Sequence, residues 1–427
     1  MENKKIIQVE EKVPLSLGIP LSIQHMFAMF GASVLVPMIF HINPSVVLLM
    51  NGIGTLLFIL ITKGKAPAYL GSSFAFLMPA GVVIGKLGYR YALGGFIAVG
   101  IGLCILSAII YKFGVKWIDV VLPAAAMGPV VALIGLELAG TAASTGLIVP
   151  TKDVPVVDAK NVIVFLITLS VAVLGSVLFR KFFAVIPILI AIVSGYIAAL
   201  ATKIVTVNTI LDALKTDFIR IPNFQLPQFD ITAIVTIFPV ILVLTSEHIG
   251  HQLVTSKIVG RDLIKDPGLH RSLLADGIST TLSGFVGAVP TTTYGENIGV
   301  MAITKVYSVR VIGGAALISI LASIIGPVSA LIQTIPGPVI GGISFLLYGM
   351  IAASGIRVMV DNKVDFSKSR NLTLTSVVFL VGLSGISINV GKGGVALKGM
   401  VLACIVGMLL SLLFWLFEKF NLLNDKE

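Results

Sequence analysis

Two carboxylates stand where an apolar chain can least accommodate them. Glu247 lies in the run SEHIGH and Glu296 in TTTYGENIGV, each inside an otherwise apolar stretch. An ionisable group in a bilayer core costs about 2.5–3.5 kcal/mol, so it faces the protein interior or a water-lined cavity and has a partner. His251 follows Glu247 by four residues, which puts both on one helix face; His248 points elsewhere. Glu296 falls where a short helix should begin. A helix N-terminus offers unpaired N–H groups and partial positive charge, which favour an anion or a carbonyl oxygen. An ionised carboxylate only accepts hydrogen bonds, whereas a protonated one also donates. Two glutamates and two half-helix N-termini therefore suit a small planar amide with N–H donors and C=O acceptors on its edge. Phe74 or Tyr348 can cover a face of such a ring. Sugars call for several Asn, Gln and Trp residues, but the two tryptophans, Trp117 and Trp415, lie near span ends.

The other polar residues read more plainly. Glu137, in GLELAG, reads as an interfacial or helix-packing group. Asp276 reads as a structural partner of the basic loop from Lys257 to Arg271, and His248 as a packing histidine. His41 and His270 lie at span ends. The 43 glycines mostly permit close helix packing. There is no zinc motif, no phosphate-binding Gly-rich loop, and no aspartate pattern of an intramembrane protease or prenyl-transfer enzyme. No enzyme, metal or cofactor is therefore expected. Cys104 and Cys404 sit in apolar spans and do not suggest a disulfide framework.

The surrounding elements follow from hydropathy. The chain is 56% apolar and 12% charged, with a mean hydropathy of +1.04, against about 25% charged in a soluble domain. A water-soluble fold has too few interior positions for this. Apolar stretches of bilayer length recur from end to end. Fourteen segments are expected: 14–38, 44–62, 68–85, 91–111, 118–140, 161–179, 183–202, 231–256, 272–289, 293–304, 309–327, 335–356, 371–388 and 397–417. No cleavable signal is expected, because the first apolar run is of full span length and charged residues precede it. With the N-terminus in the cytoplasm, Lys86, Arg90, Lys152, Lys160, Lys203, Lys215, Arg220, Lys392 and Lys398 fall outside, and the other 21 of the 30 basic residues fall inside. That bias predicts both termini in the cytoplasm. The net charge of +10 is thus a topology signal rather than a nucleic-acid footprint.

Two segments are interrupted. LGSSFAFLMPAGVVIG follows Tyr69, and TTTYGENIGVMAITK follows Pro290. Such segments at matching places in two halves point to a transporter's binding site. The halves match faintly. Gln24-His25 answers Glu247-His248; His25 to Phe74 spans 49 residues and His248 to Tyr294 spans 46. Ser72-Ser73-Phe74 answers Thr292-Thr293-Tyr294, and the Pro/Gly-rich run from Pro123 answers that from Pro336. Seven spans per half is odd, so the second half, 203–427, is expected to be inverted relative to the first, 1–202.

The run ENIGVMAITK, Glu296 to Lys305, resembles the signature of the nucleobase–ascorbate transporter (nucleobase:cation symporter-2) family: Gln, Glu or Pro, then Asn, any residue, Gly, four residues, Thr, and a basic residue or Gly. Gln24-His25 resembles that family's Gln-His motif. IPLSIQHMFAMFGASVLVP, PAYLGSSFAF, DPGLHRS and TTYGENIGVMAIT are similar to its bacterial uracil-transporting branch. The resemblance implies an all-α polytopic membrane protein of fourteen spans in two inverted seven-span repeats. Spans 1–4 and 8–11 would form a core domain, spans 5–7 and 12–14 a gate domain, with a short antiparallel β-pair in the third and tenth spans. It implies that Glu247 and Glu296 hydrogen-bond uracil and that the backbone N–H groups of Phe74 and Gly295 meet its carbonyls. Tyr294, Ala32 and Tyr348 would line the pocket, Gln24, His25 and Asn297 would support it, and His251 would connect to Glu247, the proton acceptor. The expected function is proton-coupled uracil uptake across the inner membrane by an elevator-like movement, in a homodimer. A purine or xanthine permease is the nearest alternative, although purine members commonly carry Gln in place of Glu296. A sulfate-permease-type anion transporter shares the implied fold but usually adds a soluble C-terminal domain.

Overall fold

The computed structural model describes residues 6–150, 155–180, 183–390 and 395–423. The first half runs through α1 (Leu15–Ala28), α2 (Phe30–Ile39), α3 (Pro44–Ile61), strand β1 (Leu70–Ser72), a 3-10 turn (Phe74–Phe76), α4 (Leu77–Leu87), α5 (Tyr89–Phe113), the short α6 (Lys116–Val121), α7 (Ala124–Thr145), α8 (Ala159–Leu178) and α9 (Pro187–Ala201). The second runs through the short α10 (Val207–Leu214), α11 (Ile231–Ile237), α12 (Val240–Val259), α13 (Leu269–Val286), β2 (Thr291–Thr293), α14 (Gly295–Thr304), α15 (Val309–Ile324), α16 (Gly326–Gln333), α17 (Gly337–Asp361), α18 (Ser369–Leu383), β3 (Ser387–Val390), β4 (Val395–Lys398) and α19 (Gly399–Lys419).

Among the described residues, eight helical segments are long and apolar enough to cross a bilayer, counting 15–39 and 231–259 as one segment each, and four shorter apolar helices accompany them. This is a multi-pass helical membrane protein. Helices dominate because lipid cannot hydrogen-bond a bare backbone. Each of the fourteen expected segments holds a helix. Several boundaries differ from expectation. The fifth segment is broken at Leu122–Pro123, the eleventh at Ile325, and the twelfth runs on to Asp361. The first segment is interrupted at Met29. The eighth is interrupted before α12, at Pro239, where the ring removes an N–H and crowds the preceding turn. The thirteenth ends its helix at Leu383 instead of 388, because Gly385 takes φ +74 and turns the chain into an unanticipated hairpin, β3 paired antiparallel with β4.

The helices pack in two groups. In one, α13 lies against α5 and α3, and α15 against α1 and α3. In the other, α17 lies along α7 and α8, with α9, α18 and α19 around them. The α7–α17 contact brings backbones together: a Cβ on Gly135 would sit 2.0 Å from Tyr348 O, and one on Gly355 would sit 2.3 Å from Ala132 N. Only glycine fits at such a crossing.

Candidate functional site

The β1–β2 pair is the frame of the site. It is antiparallel, with Leu70 opposite Thr293, Gly71 opposite Thr292 and Ser72 opposite Thr291, as the resemblance led one to expect. Hydroxyls from both flanks hold it. Thr55 Oγ1 on α3 accepts from Leu70 N–H at 2.9 Å. On α13, Ser279 Oγ meets Thr291 Oγ1 at 2.6 Å, and Thr280 Oγ1 donates to Thr291 O at 2.9 Å. Gly71 leaves room for both neighbours: a Cβ there would meet the Met29 methyl and lie 3.1 Å from the Tyr294 ring, so the end of Met29 would have to move. The interruption of the first span thus sits against the strand pair.

Each strand hands over to a helical start, β1 to the turn at Phe74 and β2 to α14 at Gly295. Phe74, Tyr294 and Tyr348 form an aromatic cluster. The Phe74 ring centroid is 6.2 Å from that of Tyr294 and 6.0 Å, edge-on, from that of Tyr348. The Tyr294 hydroxyl donates to Ser72 O and so staples its ring across the strands. Beside this buried cluster, Gly295 is exposed, and Glu247 and Glu296 are partly exposed. Glu296 occupies the first turn of α14. Glu247 on α12 lies close enough to Glu296 and Asp276 to feel their charges, and Tyr294 feels both glutamates. The structure therefore brings Glu247, Glu296, Gly295, Phe74, Tyr294 and Tyr348 together.

His251 meets the strand pair. Its Nδ1 pairs with Thr293 Oγ1 at 3.1 Å, so through this nitrogen the ring is tied to β2 instead of Glu247. Its Nε2 lies 3.5 Å from where a Gly295 Cβ would be. Asn297 joins α14 to α1 by donating to His25 Nδ1 at 3.0 Å and to His25 O at 3.1 Å. Gln24 is buried one residue before His25. The backbone of Ala32 belongs to α2, but its side chain lies outside the described residues.

Asp276 is not a partner of the basic loop. It is 3% exposed, and Oδ2 meets His248 Nδ1 at 2.8 Å and accepts from Thr292 Oγ1 at 3.4 Å. His248 Nε2 meets Ser272 Oγ at 2.8 Å. This set, linking α12, α13 and β2, escapes a reading of the sequence. The available signal was the polar spacing of Ser272, Asp276, Ser279, Thr280 and Ser283 along one face of α13. Glu137 is a packing group: it lies against Gly399 at the start of α19 and lines a separate cleft of about 260 Å³ with Met78, Thr236 and Lys398. No group of three or more His, Cys, Asp or Glu able to hold a metal exists among the described residues.

A family model described as "Permease family", that of the xanthine and uracil permeases, matches residues 18–391. The chain belongs to this permease family. The permease is 55% identical to the "Uracil permease" of Escherichia coli (strain K12), over 96% of its own chain and 94% of the other. It is 50% identical to that of Paenibacillus larvae over 99% of both, and 44% identical to that of Bacillus subtilis (strain 168) over 97% and 96%. Among solved structures it resembles the anion transporter SLC26A9 (TM-score 0.71, 12% identity, 95% of this chain and 66% of that one) and the transmembrane domain of the cyanobacterial bicarbonate transporter BicA (TM-score 0.65, 15% identity, 95% and 100%). At those identities the likeness concerns the fold alone. The permease is a transporter and not an enzyme.

Proposed function

We propose that this permease carries uracil into the cell together with protons. The observation that carries the reading is the placing of Glu296, at the helical start after β2, and Glu247, on the neighbouring α12, within electrostatic reach of each other and of the Phe74–Tyr294–Tyr348 cluster. Uracil has two N–H donors and two C=O acceptors. The glutamates take the N–H groups, the backbone N–H groups of Phe74 and Gly295 take the carbonyls, and the aromatic rings cover a face. The three relatives named uracil permeases, at 44–55% identity over nearly the whole chain, support this substrate over a purine.

Glu247 is the proton-binding group in this scheme. An ionised carboxylate moving without substrate is penalised by desolvation, and proton and substrate together relieve it. One positive charge entering per cycle draws about 2.3 kcal/mol per 100 mV from the membrane potential. Fourteen spans in two inverted repeats, N- and C-termini in the cytoplasm, and a homodimer complete the proposal. The group around α13 and α15 would be the moving core and the group around α7 and α17 the gate, a division supported by their separate packing. Thermal stabilisation of the purified chain by a panel of nucleobases tests the substrate, because a ligand that binds the folded state raises its melting temperature by mass action. Uracil is expected to give the largest shift. A larger shift with xanthine, or displacement of labelled uracil by unlabelled xanthine at equal concentration, would transfer the reading to a purine.

A further inference from the structure

We propose that the segment Ile6–Glu11 is a strap that sets the spacing of α12 and α14, with Val9, Glu10 and Arg261 as positioning residues for the substrate site. This rests on the reading of Glu247 and Glu296, carried by those two helices, as substrate ligands. The segment runs beside the linker that follows α14. Ile7 N–H donates to Lys305 O at 3.0 Å, Tyr307 N–H to Ile7 O at 2.9 Å, and Val309 N–H to Val9 O at 2.9 Å. Ile7 and Val306 form a parallel bridge, and Ser308 Oγ donates to Glu11 O at 2.7 Å. These bonds fix the strap to the end of α14.

Val9 is 0% exposed. Its side chain joins an apolar cluster with Val259 of α12, Ile298 and Met301 of α14, and Tyr307. Glu10 then reaches Arg261, two residues beyond α12, at 2.5 Å. One short segment is thus hydrogen-bonded past the end of one site helix, wedged between the two, and ion-paired past the end of the other. Neither helix can shift against the other at this end without withdrawing Val9 or breaking the Glu10–Arg261 pair. The strap acts by fixing the helices that carry the glutamates.

A loosened strap lowers the fraction of molecules with both carboxylates in register, and apparent affinity falls by that fraction. Uracil titration calorimetry on the full-length purified chain is the test. Val9→Asp is expected to weaken the Kd about tenfold. Glu10→Arg, which sets two cations face to face, is expected to weaken it about threefold, and adding Arg261→Glu to restore it. Where Val9→Asp does not fold, Val9→Ala and the charge reversals carry the test. A lower melting temperature without ligand but an unchanged Kd in these variants overturns the proposal, as does failure of the double reversal to restore affinity. A wild-type chain that does not bind uracil overturns the functional reading alone. Spin labels at Lys257→Cys and Ile303→Cys, both exposed positions, in a chain with Cys104 and Cys404 replaced by alanine, then judge the strap directly. A broadened distance distribution in Val9→Asp upholds it, and an unchanged distribution overturns it.

Discussion

Replacing Glu296 or Glu247 by glutamine keeps the side chain's shape and removes its charge. A hydrogen bond to a charged group contributes about 1.5–3 kcal/mol, so Glu296→Gln is expected to weaken uracil binding roughly 10–150-fold. Glu247→Gln, which cannot take up a proton, is expected to make uracil binding independent of pH. Calorimetry that returns wild-type affinity for Glu296→Gln, or a wild-type pH dependence for Glu247→Gln, removes that residue from its role. Thr293→Val takes away the partner of His251 Nδ1. Hydrogen bonds between membrane helices average about 0.6 kcal/mol, so this variant should lose only about threefold in affinity. A loss as large as that of Glu296→Gln would mean that the His251 orientation matters more than its one bond. The glutamates were legible in the sequence because a mid-span carboxylate has little structural excuse. The partner of His251 was not, because Thr293 arrives 42 residues later on a strand, and helix periodicity cannot see across elements. Asp276 misled for the same reason: its nearness in sequence to the basic loop suggested one partner, and the fold supplied His248 and Thr292.

The α7–α17 crossing makes a sharper demand than any single contact in the site. Gly135→Leu must push a branched side chain into the Tyr348 carbonyl, and overpacking of this kind costs about 1–3 kcal/mol or more. A reduced melting temperature is expected in a thermal-shift measurement. A Cβ on Gly140, on the same helix, would meet no atom within 4 Å, so Gly140→Ala should be neutral or stabilising by up to about 1 kcal/mol. Equal destabilisation by both would deny that the crossing is tight. Among the elements, the long apolar helices were readable from hydropathy, and the β1–β2 pair came from the family resemblance. The β3–β4 hairpin was hidden because SINV and VALK carry no stronger strand pattern than their apolar flanks. At the strap, Arg261 holds the Glu10 carboxyl below its ordinary value of 4.5, with Lys65 adding to the effect. A lowered carboxylate pKa stabilises above the unfolded value and loses that contribution as pH falls through the folded one. The pair is half exposed and so is worth at most about 1 kcal/mol. Amide exchange at Tyr307 and Val309 should therefore be unchanged down to the ordinary carboxylate range and quicken modestly below it, after correction for the intrinsic pH dependence of exchange.

For the molecule as a whole, the membrane class followed from composition, because a bilayer tolerates few ways of burying backbone. The two packing groups did not, since hydropathy reports that a helix is apolar and is silent on which neighbour it meets. Proton coupling belongs to this scale. In proteoliposomes with an inward proton gradient, labelled uracil should accumulate above its external concentration, and an added proton-conducting ionophore should release it. Uptake indifferent to the gradient would sink the coupling, leaving uracil binding untouched.

The strand pair also has a consequence for biosynthesis. Tyr294 and Ser72, joined by a hydrogen bond, are 222 residues apart, and every partner of β1 across the pair comes from the second half of the chain. A ribosome must therefore deliver everything through Thr293 before the site's frame can close. Until then the Leu70–Ser73 backbone waits without its ladder, and unpaired backbone that meets lipid is penalised. Nascent chains halted before Pro290 are in this sense unfinished substrates for membrane quality control, whereas those released after Thr304 already contain both halves of the frame.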